Sequence, residues 1–279
     1  MGSNLNVYIK DLPSVPKVGL LECYVDDSQL YLSFPVRDAT LAADQLTEDL
    51  RNIATGCCKN SLLINQDKTK LLVLRTPQML TKIPDDLSIT LLSKEIASSK
   101  SAKNLGVTMD CNLTYDEHVT QVTSNFIGSL CQINRVKYLF DRRTLITLIN
   151  SLVFSTLLYF SLVWANTSTT KKNIELLQTV QSSAAYIGSG TRKFDHVTPI
   201  LKQLQWLPIT KQLADRDTKM ALKCLNGLVP PYLYQKFKTR SEVHNCNTRE
   251  RDRQHIPLCR KAAGQRAFTF RRQKLWNEL

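Results

Sequence analysis

The sequence predicts an α+β fold in which short strands come first and helices follow. Near the N-terminus, an apolar run at residues 20–24 and an alternating run at residues 30–34 flank a short polar turn, as in a β-hairpin. From residue 114 onward, apolar residues recur every three or four positions, which is the period of amphipathic helices. With 279 residues and 43% hydrophobic content, the chain is long enough to form two or more packing units.

After the hairpin, the pattern predicts a helix between strands. One apolar helical face comprises Leu41, Leu46, Leu50, Ile53 and Cys57. Short strand candidates follow at residues 61–65 and 69–74, so that this region is expected to form a β-α-β unit.

The later helices are predicted from their apolar faces and from their ends. Residues 114–117 have the pattern of a capping box, and the helix after it presents Tyr115, Val119, Val122, Phe126, Leu130 and Ile133 on one face. A second face comprises Ile174, Leu177, Val180, Ala184 and Ile187. Pro199 suits the first turn of a short helix, and Gly227 is expected to end another one before Pro230.

Positive charge is concentrated at the C-terminal end of the chain. The net charge is +13, and residues 201–279 alone contain 17 Lys and Arg against 6 Asp and Glu. Such a skew indicates a polyanionic partner, and nucleic acid or an anionic membrane face are the candidates, although a solvated basic surface would give the same pattern. The candidate nucleic-acid-binding residues are Arg249, Arg251, Arg253, Arg260, Lys261, Arg266, Arg271 and Arg272, interleaved with Phe268, Phe270 and Trp276, which could stack on bases.

The hairpin turn contains two adjacent carboxylates, Asp26 and Asp27. Carboxylate oxygens are hard ligands that suit Mg²⁺, and two-metal nucleotidyl transfer needs acidic side chains on rigid elements. An ordinary polar turn would also contain Asp. Further along, Gly106 suits a tight turn that brings the backbone close to a nucleic-acid strand, because glycine has no Cβ.

An ordered series of segments resembles the reverse transcriptase of non-LTR (LINE-type) retrotransposons of the jockey and chicken-repeat kind. In the first half these segments are residues 7–13, 24–34, Asn65 with Lys68 and Thr69, and 104–107 with Asp110 and His118. In the second half they are residues 177–185, 195–201, 204–208, 225–227, 230–233 and 275–277. The series covers nearly the whole chain.

The resemblance implies a domain order and a set of roles. Residues 1–110 would be part of a polymerase palm, residues 111–228 a helical thumb with a following helical region, and residues 229–279 a basic C-terminal region. Asp26 and Asp27 would be catalytic and would hold Mg²⁺ in the context of a complete palm. Lys68 would bind the nucleotide, and Leu105 with Gly106 would position the primer. The partners would be an RNA template and a DNA primer.

The chain also departs from the family. A further catalytic Asp and a nucleotide-binding segment are expected upstream of the hairpin and are absent from the sequence. Residues 155–160 replace a Ser-Arg-Leu-Asp-Tyr-Cys block, and Tyr186 stands where an Arg is usual. We therefore expect a truncated RNA-directed DNA polymerase that is inactive alone. The alternative is a non-catalytic nucleic-acid-binding remnant of a decayed or co-opted element.

The cysteines and the longest uncharged stretch bear on localisation. The spacing of the eight cysteines is irregular and no signal peptide precedes them, so the expected compartment is intracellular, nuclear or cytoplasmic. One cluster, His244, Cys246, His255 and Cys259, would be an unusual zinc site. Residues 145–165 carry no charge and are long enough to span a bilayer, but polar residues interrupt them and the family resemblance assigns them to a buried thumb helix.

Overall fold

The computed structural model describes residues 8–74, 76, 78, 83, 84, 87–165, 171–192, 195–244 and 249–278. The chain forms two compact units, residues 1–113 and residues 114–279. The first contains small sheets around one long helix and the second is helical, so the fold is α+β. Val7, in the first segment of the family resemblance, and Cys246, in the candidate zinc cluster, lie outside the described residues.

The described part of the first unit contains one long helix of about six turns and three small sheets. Its elements are β1 (Leu20–Tyr24), β2 (Asp27–Tyr31), α1 (Ala39–Lys59), β3 (Leu71–Leu72), β4 (Ser88–Leu91), β5 (Lys94–Ser99), β6 (Ser101–Asn104) and β7 (Val107–Asp110). The hairpins β1–β2 and β6–β7 are antiparallel two-stranded sheets. The third sheet has the order β3-β5-β4, with β3 parallel to β5.

Helix α1 supplies the core of this unit. Leu50 and Ala54 pack with side chains of β4 and β5, while Ile53 and Cys57 pack with Leu21 of β1. The predicted face is confirmed in its second half. Its first half is rotated: Leu41 is 55% exposed, and Ala39 and Ala42 are buried instead. One position turns a side chain by about 100° around a helix, which is enough to exchange Leu41 for Ala42.

The strand predicted at residues 61–65 is wrong. The N–H of Leu62 donates to the carbonyl of Cys57 at 2.9 Å, and Ser61 has a φ of 57°, so that this backbone closes the end of α1. The strand predicted at residues 69–74 is reduced to β3, which pairs with β5 and not with β1 or β2. The predicted β-α-β unit is therefore not formed.

The second unit contains helices throughout. They are α2 (Asp116–Val136), α3 (Arg142–Leu148), α4 (Ser155–Leu157), α5 (Ser161–Trp164), α6 (Lys171–Ser189), α7 (Val197–Gln203), α8 (Ile209–Leu225), α9 (Pro231–Tyr234), α10 (Arg240–Val243), α11 (Ala262–Gln265) and α12 (Phe268–Glu278). A 3-10 turn, Lys137–Leu139, follows α2, and a π-helical segment, Ile149–Phe154, links α3 to α4.

The helix faces predicted for this unit are largely confirmed. All six residues of the α2 face are buried, as are Leu177, Val180 and Ala184 of α6. Pro199 lies in the first turn of α7, and Gly227, with a φ of 64°, follows the end of α8. The capping box is wrong: Tyr115 is the N-cap residue of α2, and it makes no side-chain capping hydrogen bond. Tyr115 is 5% exposed and its backbone is left-handed, with a φ of 62°.

The uncharged stretch at residues 145–165 is an interrupted segment. Ile149, Val153 and Leu157 are completely buried, which confirms the expected burial of one side of the segment, while its assignment to a thumb stays a prediction. It is not one helix, because the π-helical segment Ile149–Phe154 interrupts it and the backbone of Phe160 is left-handed, with a φ of 48°. Within the described part of the chain, no helix is both long and apolar enough to cross a membrane.

Candidate metal and nucleic-acid sites

The β1–β2 hairpin places both candidate metal ligands at its tip. Tyr24 pairs with Asp27 at the end of the ladder, leaving Val25 and Asp26 as a two-residue turn. The side chains of Asp26 and Asp27 are exposed. Among the described residues, no group of three or more His, Cys, Asp or Glu side chains is placed to hold a metal ion. Two carboxylates still fit Mg²⁺, which commonly binds through one or two carboxylates, several waters and substrate phosphates.

The turn is strained at Val25, which has a φ of 57°. Two-residue hairpin turns need a positive φ at the first turn position, and glycine, asparagine or aspartate ordinarily provides it. A β-branched residue in this region costs free energy, and such strain concentrates at functional sites. Val25 therefore departs from the residue types that ordinarily occupy this turn position.

A buried carboxylate on α1 holds the segment that leads into this hairpin. Asp49 is 1% exposed, and its oxygens accept hydrogen bonds from the backbone N–H groups of Lys17 at 2.6 Å, Val18 at 3.2 Å and Gly19 at 2.7 Å. A Cβ on Gly19 would lie 2.7 Å from Leu30 Cδ1, so only glycine fits this close approach without a shift. Asp49 thus fixes the start of β1 and, through it, the hairpin.

The β6–β7 hairpin, which contains the candidate primer-positioning residues, contacts the β1–β2 hairpin. Asn104, at the end of β6, donates its side-chain N–H to the side-chain oxygen Oε1 of Gln29 in β2 at 2.8 Å. Leu105 and Gly106 form the β6–β7 turn with φ values of 46° and 84°. The tight turn expected at Gly106 is confirmed, and the primer-positioning role of both residues stays a prediction.

Lys68 is exposed in a turn organised by Asn65. The Asn65 side-chain oxygen accepts the backbone N–H groups of Asp67 at 3.0 Å and Lys68 at 3.2 Å. Asp67 pairs with Lys94, which lowers the pKa of its carboxyl. The ammonium group of Lys68 is thus presented to solvent, and its nucleotide-binding role stays a prediction.

The candidate cations of the C-terminal region fall into two groups. Arg249, Arg260 and Lys261 are exposed and make no ion pair among the described residues. Arg253 is exposed but pairs with Glu250 at 2.9 Å, and Arg251 pairs with Asp252 at 3.5 Å. Arg266 is half-buried, and its carbonyl accepts a hydrogen bond from Arg271.

The second group, Arg271 and Arg272, is buried in an ion pair. Both side chains contact Asp217 of α8, Arg271 at 2.9 Å, and their exposed fractions are 8% and 11%. Arg271 also donates to the carbonyls of Ala165 and Leu162. Burial raises the pKa of the Asp217 carboxyl, and the two guanidinium charges oppose this effect. These two arginines therefore attach α12 to the helical unit and are not free to contact a polyanion.

The candidate zinc cluster is described only in part. The rings of His244 and His255 make an edge contact with centroids 5.4 Å apart, and Cys259 is half-buried. Cys246, as stated above, lies outside the described residues. The zinc alternative stays a prediction.

Two further buried carboxylates, Asp49 and Asp217, were not predicted from the sequence, although their spacing carries a signal. Asp49 lies three positions after Leu46 and four before Ile53, which places a carboxylate on the apolar face of α1. On α8, Asp217 lies four positions before Ala221, as Asp49 lies four positions before Ile53. An acidic residue at a core position indicates a buried partner.

No protein-family model matches the sequence, and neither a curated protein nor a solved structure matches the chain. The functional interpretation therefore rests on the residues of the chain and their geometry.

Proposed function

We propose that the chain is the metal-binding palm hairpin, the primer-positioning hairpin and the thumb of a non-LTR retrotransposon reverse transcriptase. The observation that carries the proposal is the strained two-residue turn that presents Asp26 and Asp27 together at the end of a hairpin. The Gln29–Asn104 hydrogen bond supports it, because the primer end and the metal ions must meet in such an enzyme. Mg²⁺ would supply charge stabilisation at the transferred phosphate.

Metal binding tests the proposal directly. Tb³⁺ prefers oxygen ligands, and its luminescence is sensitised by nearby aromatic rings. Tyr24 lies two residues from Asp26 and is 67% exposed. We expect tyrosine-sensitised luminescence that Mg²⁺ competes away, that Asp26→Asn with Asp27→Asn abolishes, and that the control Asp44→Asn retains. Luminescence unaffected by the double substitution would contradict the metal-binding role.

We expect the chain alone not to extend a primer on an RNA template. Two-metal transfer needs more acidic anchors than one turn supplies, and the described residues contain no third ligand beside Asp26 and Asp27. Incorporation of labelled nucleotide with Mg²⁺ or Mn²⁺ is the measurement. Incorporation that Asp26→Asn and Asp27→Asn remove would contradict this prediction.

The alternative function is a non-catalytic nucleic-acid-binding protein, and the exposed cations of the C-terminal region favour it. In this alternative, the basic C-terminal region is the element that binds nucleic acid. We expect the exposed cations Arg249, Arg260 and Lys261 to contribute to binding of single-stranded RNA.

Replacing these three cations by glutamine is expected to weaken RNA binding and to lower the slope of log affinity against log salt by about 2, since each lost phosphate contact removes about 0.7. Filter binding at several salt concentrations is the measurement. The control replaces Lys10, Lys59 and Lys70, which are exposed in the first unit. An unchanged slope would show that the basic C-terminal region does not bind the RNA through these three cations. Point substitutions are preferable to a truncation after Leu233, which would also remove both partners of the buried Asp217.

A further inference from the structure

The connection between α2 and α3 presents an exposed aromatic and basic surface, which we call the aromatic turn (residues 135–143). Tyr138 is 79% exposed, Leu139 is 66% exposed and Phe140 is 38% exposed. Large apolar side chains grouped on a surface commonly mark an interaction site. The aromatic turn is therefore a candidate binding surface outside both sites described above.

The charge of the aromatic turn identifies the class of partner. Arg135, Lys137, Arg142 and Arg143 are all exposed, and none of them makes an ion pair within the described part of the chain. Asp141 is the acidic residue of the turn, and its carboxylate is occupied as the N-cap of α3, where it accepts the Arg143 N–H at 3.1 Å. A hydrogen bond from the Thr144 side chain lowers the pKa of Asp141, which keeps this cap ionised. The unpaired cations favour an anionic partner.

The backbone holds the aromatic turn in a fixed conformation. Lys137–Leu139 is a 3-10 turn, and the N–H of Phe140 donates to the Lys137 carbonyl at 3.3 Å. The Asp141 cap then starts α3 directly. Tyr138 is consequently presented by a short, hydrogen-bonded connection, and ordering its ring on a ligand costs little conformational entropy.

We propose that the aromatic turn binds single-stranded nucleic acid, with Tyr138 stacking on an unpaired base and the four cations contacting the phosphates on either side. Aromatic rings interleaved with unpaired cations are the combination that such strands require. A duplex covers its base faces and offers phosphates alone. The proposal does not depend on Asp26, Asp27 or the polymerase assignment. A failure of the Tb³⁺ experiment to show metal binding at these residues would not contradict it.

Fluorescence anisotropy with the full chain tests the proposal. The probes are labelled oligothymidylate, oligouridylate and a hairpin duplex of equal length, each at several salt concentrations. We expect Tyr138→Ala to weaken binding of both single strands about tenfold and to leave duplex binding unchanged. Tyr138→Phe should retain wild-type affinity because the ring is kept. Arg142→Gln with Arg143→Gln should reduce the salt slope by about 1.4.

Tyr232→Ala is the matched control, since Tyr232 is 65% exposed and lies outside the aromatic turn. Wild-type affinity of Tyr138→Ala for single strands would overturn the proposal. So would equal losses in Tyr138→Phe and Tyr138→Ala, or an equal loss of duplex binding. Binding of anionic phospholipid vesicles through Tyr138, with no effect on single strands, would assign the surface to a membrane and overturn it as well.

Discussion

Asp217→Asn is expected to lower the free energy of unfolding of the helical unit by about 3 to 5 kcal/mol. The substitution removes the counter-charge of two buried guanidinium groups while keeping the size of the side chain, and a broken buried ion pair costs this much because the remaining charges stay buried. All three tryptophans, Trp164, Trp206 and Trp276, lie in residues 114–279, so tryptophan fluorescence in urea reports on this unit.

The matched control for Asp217 is Asp215→Asn, two residues earlier on the same helix. Asp215 forms an exposed ion pair with Lys219 at 2.6 Å, and such a pair contributes about 0.5 kcal/mol or less. A loss of about 4 kcal/mol lowers the urea midpoint by about 2 M for a typical dependence on denaturant. Equal midpoints for the two variants would show that the Asp217 pair contributes nothing beyond a surface contact.

Asp49→Asn is expected to destabilise the first unit by about 2 to 4 kcal/mol. An asparagine has one acceptor oxygen where the carboxylate has two, so at least one of the N–H groups of Lys17, Val18 and Gly19 would face an amide donor in a buried place. Residues 1–113 contain no tryptophan, so tryptophan fluorescence does not report directly on this unit. Hydrogen–deuterium exchange at residues 17–24 is the measurement, and faster exchange there is the expected result.

Asp44→Asn is the control for Asp49, because Asp44 lies on the same helix and is exposed. Exchange at residues 17–24 should match the unsubstituted chain in that variant. If Asp49→Asn also leaves exchange unchanged, the three hydrogen bonds do not hold the segment before β1.

The periodic helices were predictable because burial selects apolar residues at fixed intervals. The α2 face from Val119 to Ile133 is the clearest case. The hairpin at Asp26 and the turn at Gly106 were predictable for a related reason, since turn chemistry is local. The conformation of residues 61–65 was not predictable, because their apolar pattern also suits a strand. In the structure, the backbone N–H of Leu62 donates to the carbonyl of Cys57 at the end of α1.

The candidate sites divide along the same line. The position of Asp26 and Asp27 on a hairpin follows from the neighbouring residues, whereas the burial of Arg271 and Arg272 depends on Asp217, more than 50 residues away in sequence. The amino-acid composition does not distinguish these buried arginines from the exposed ones. The contact between Gln29 and Asn104 is equally non-local, and no spacing in the sequence indicates it.

The contacts of Arg271 join residues far apart along the chain. They reach Asp217 over 54 residues and Ala165 and Leu162 over 106 and 109 residues. Closing such long loops is entropically costly, so we expect these contacts to form late, after the neighbouring helices of the unit have packed. Asp217 would lack its counter-charges until α12 docks. Interactions that form after the transition state act on the rate of unfolding, so we expect the docking of α12 to affect how long the folded unit persists more than how fast it is reached.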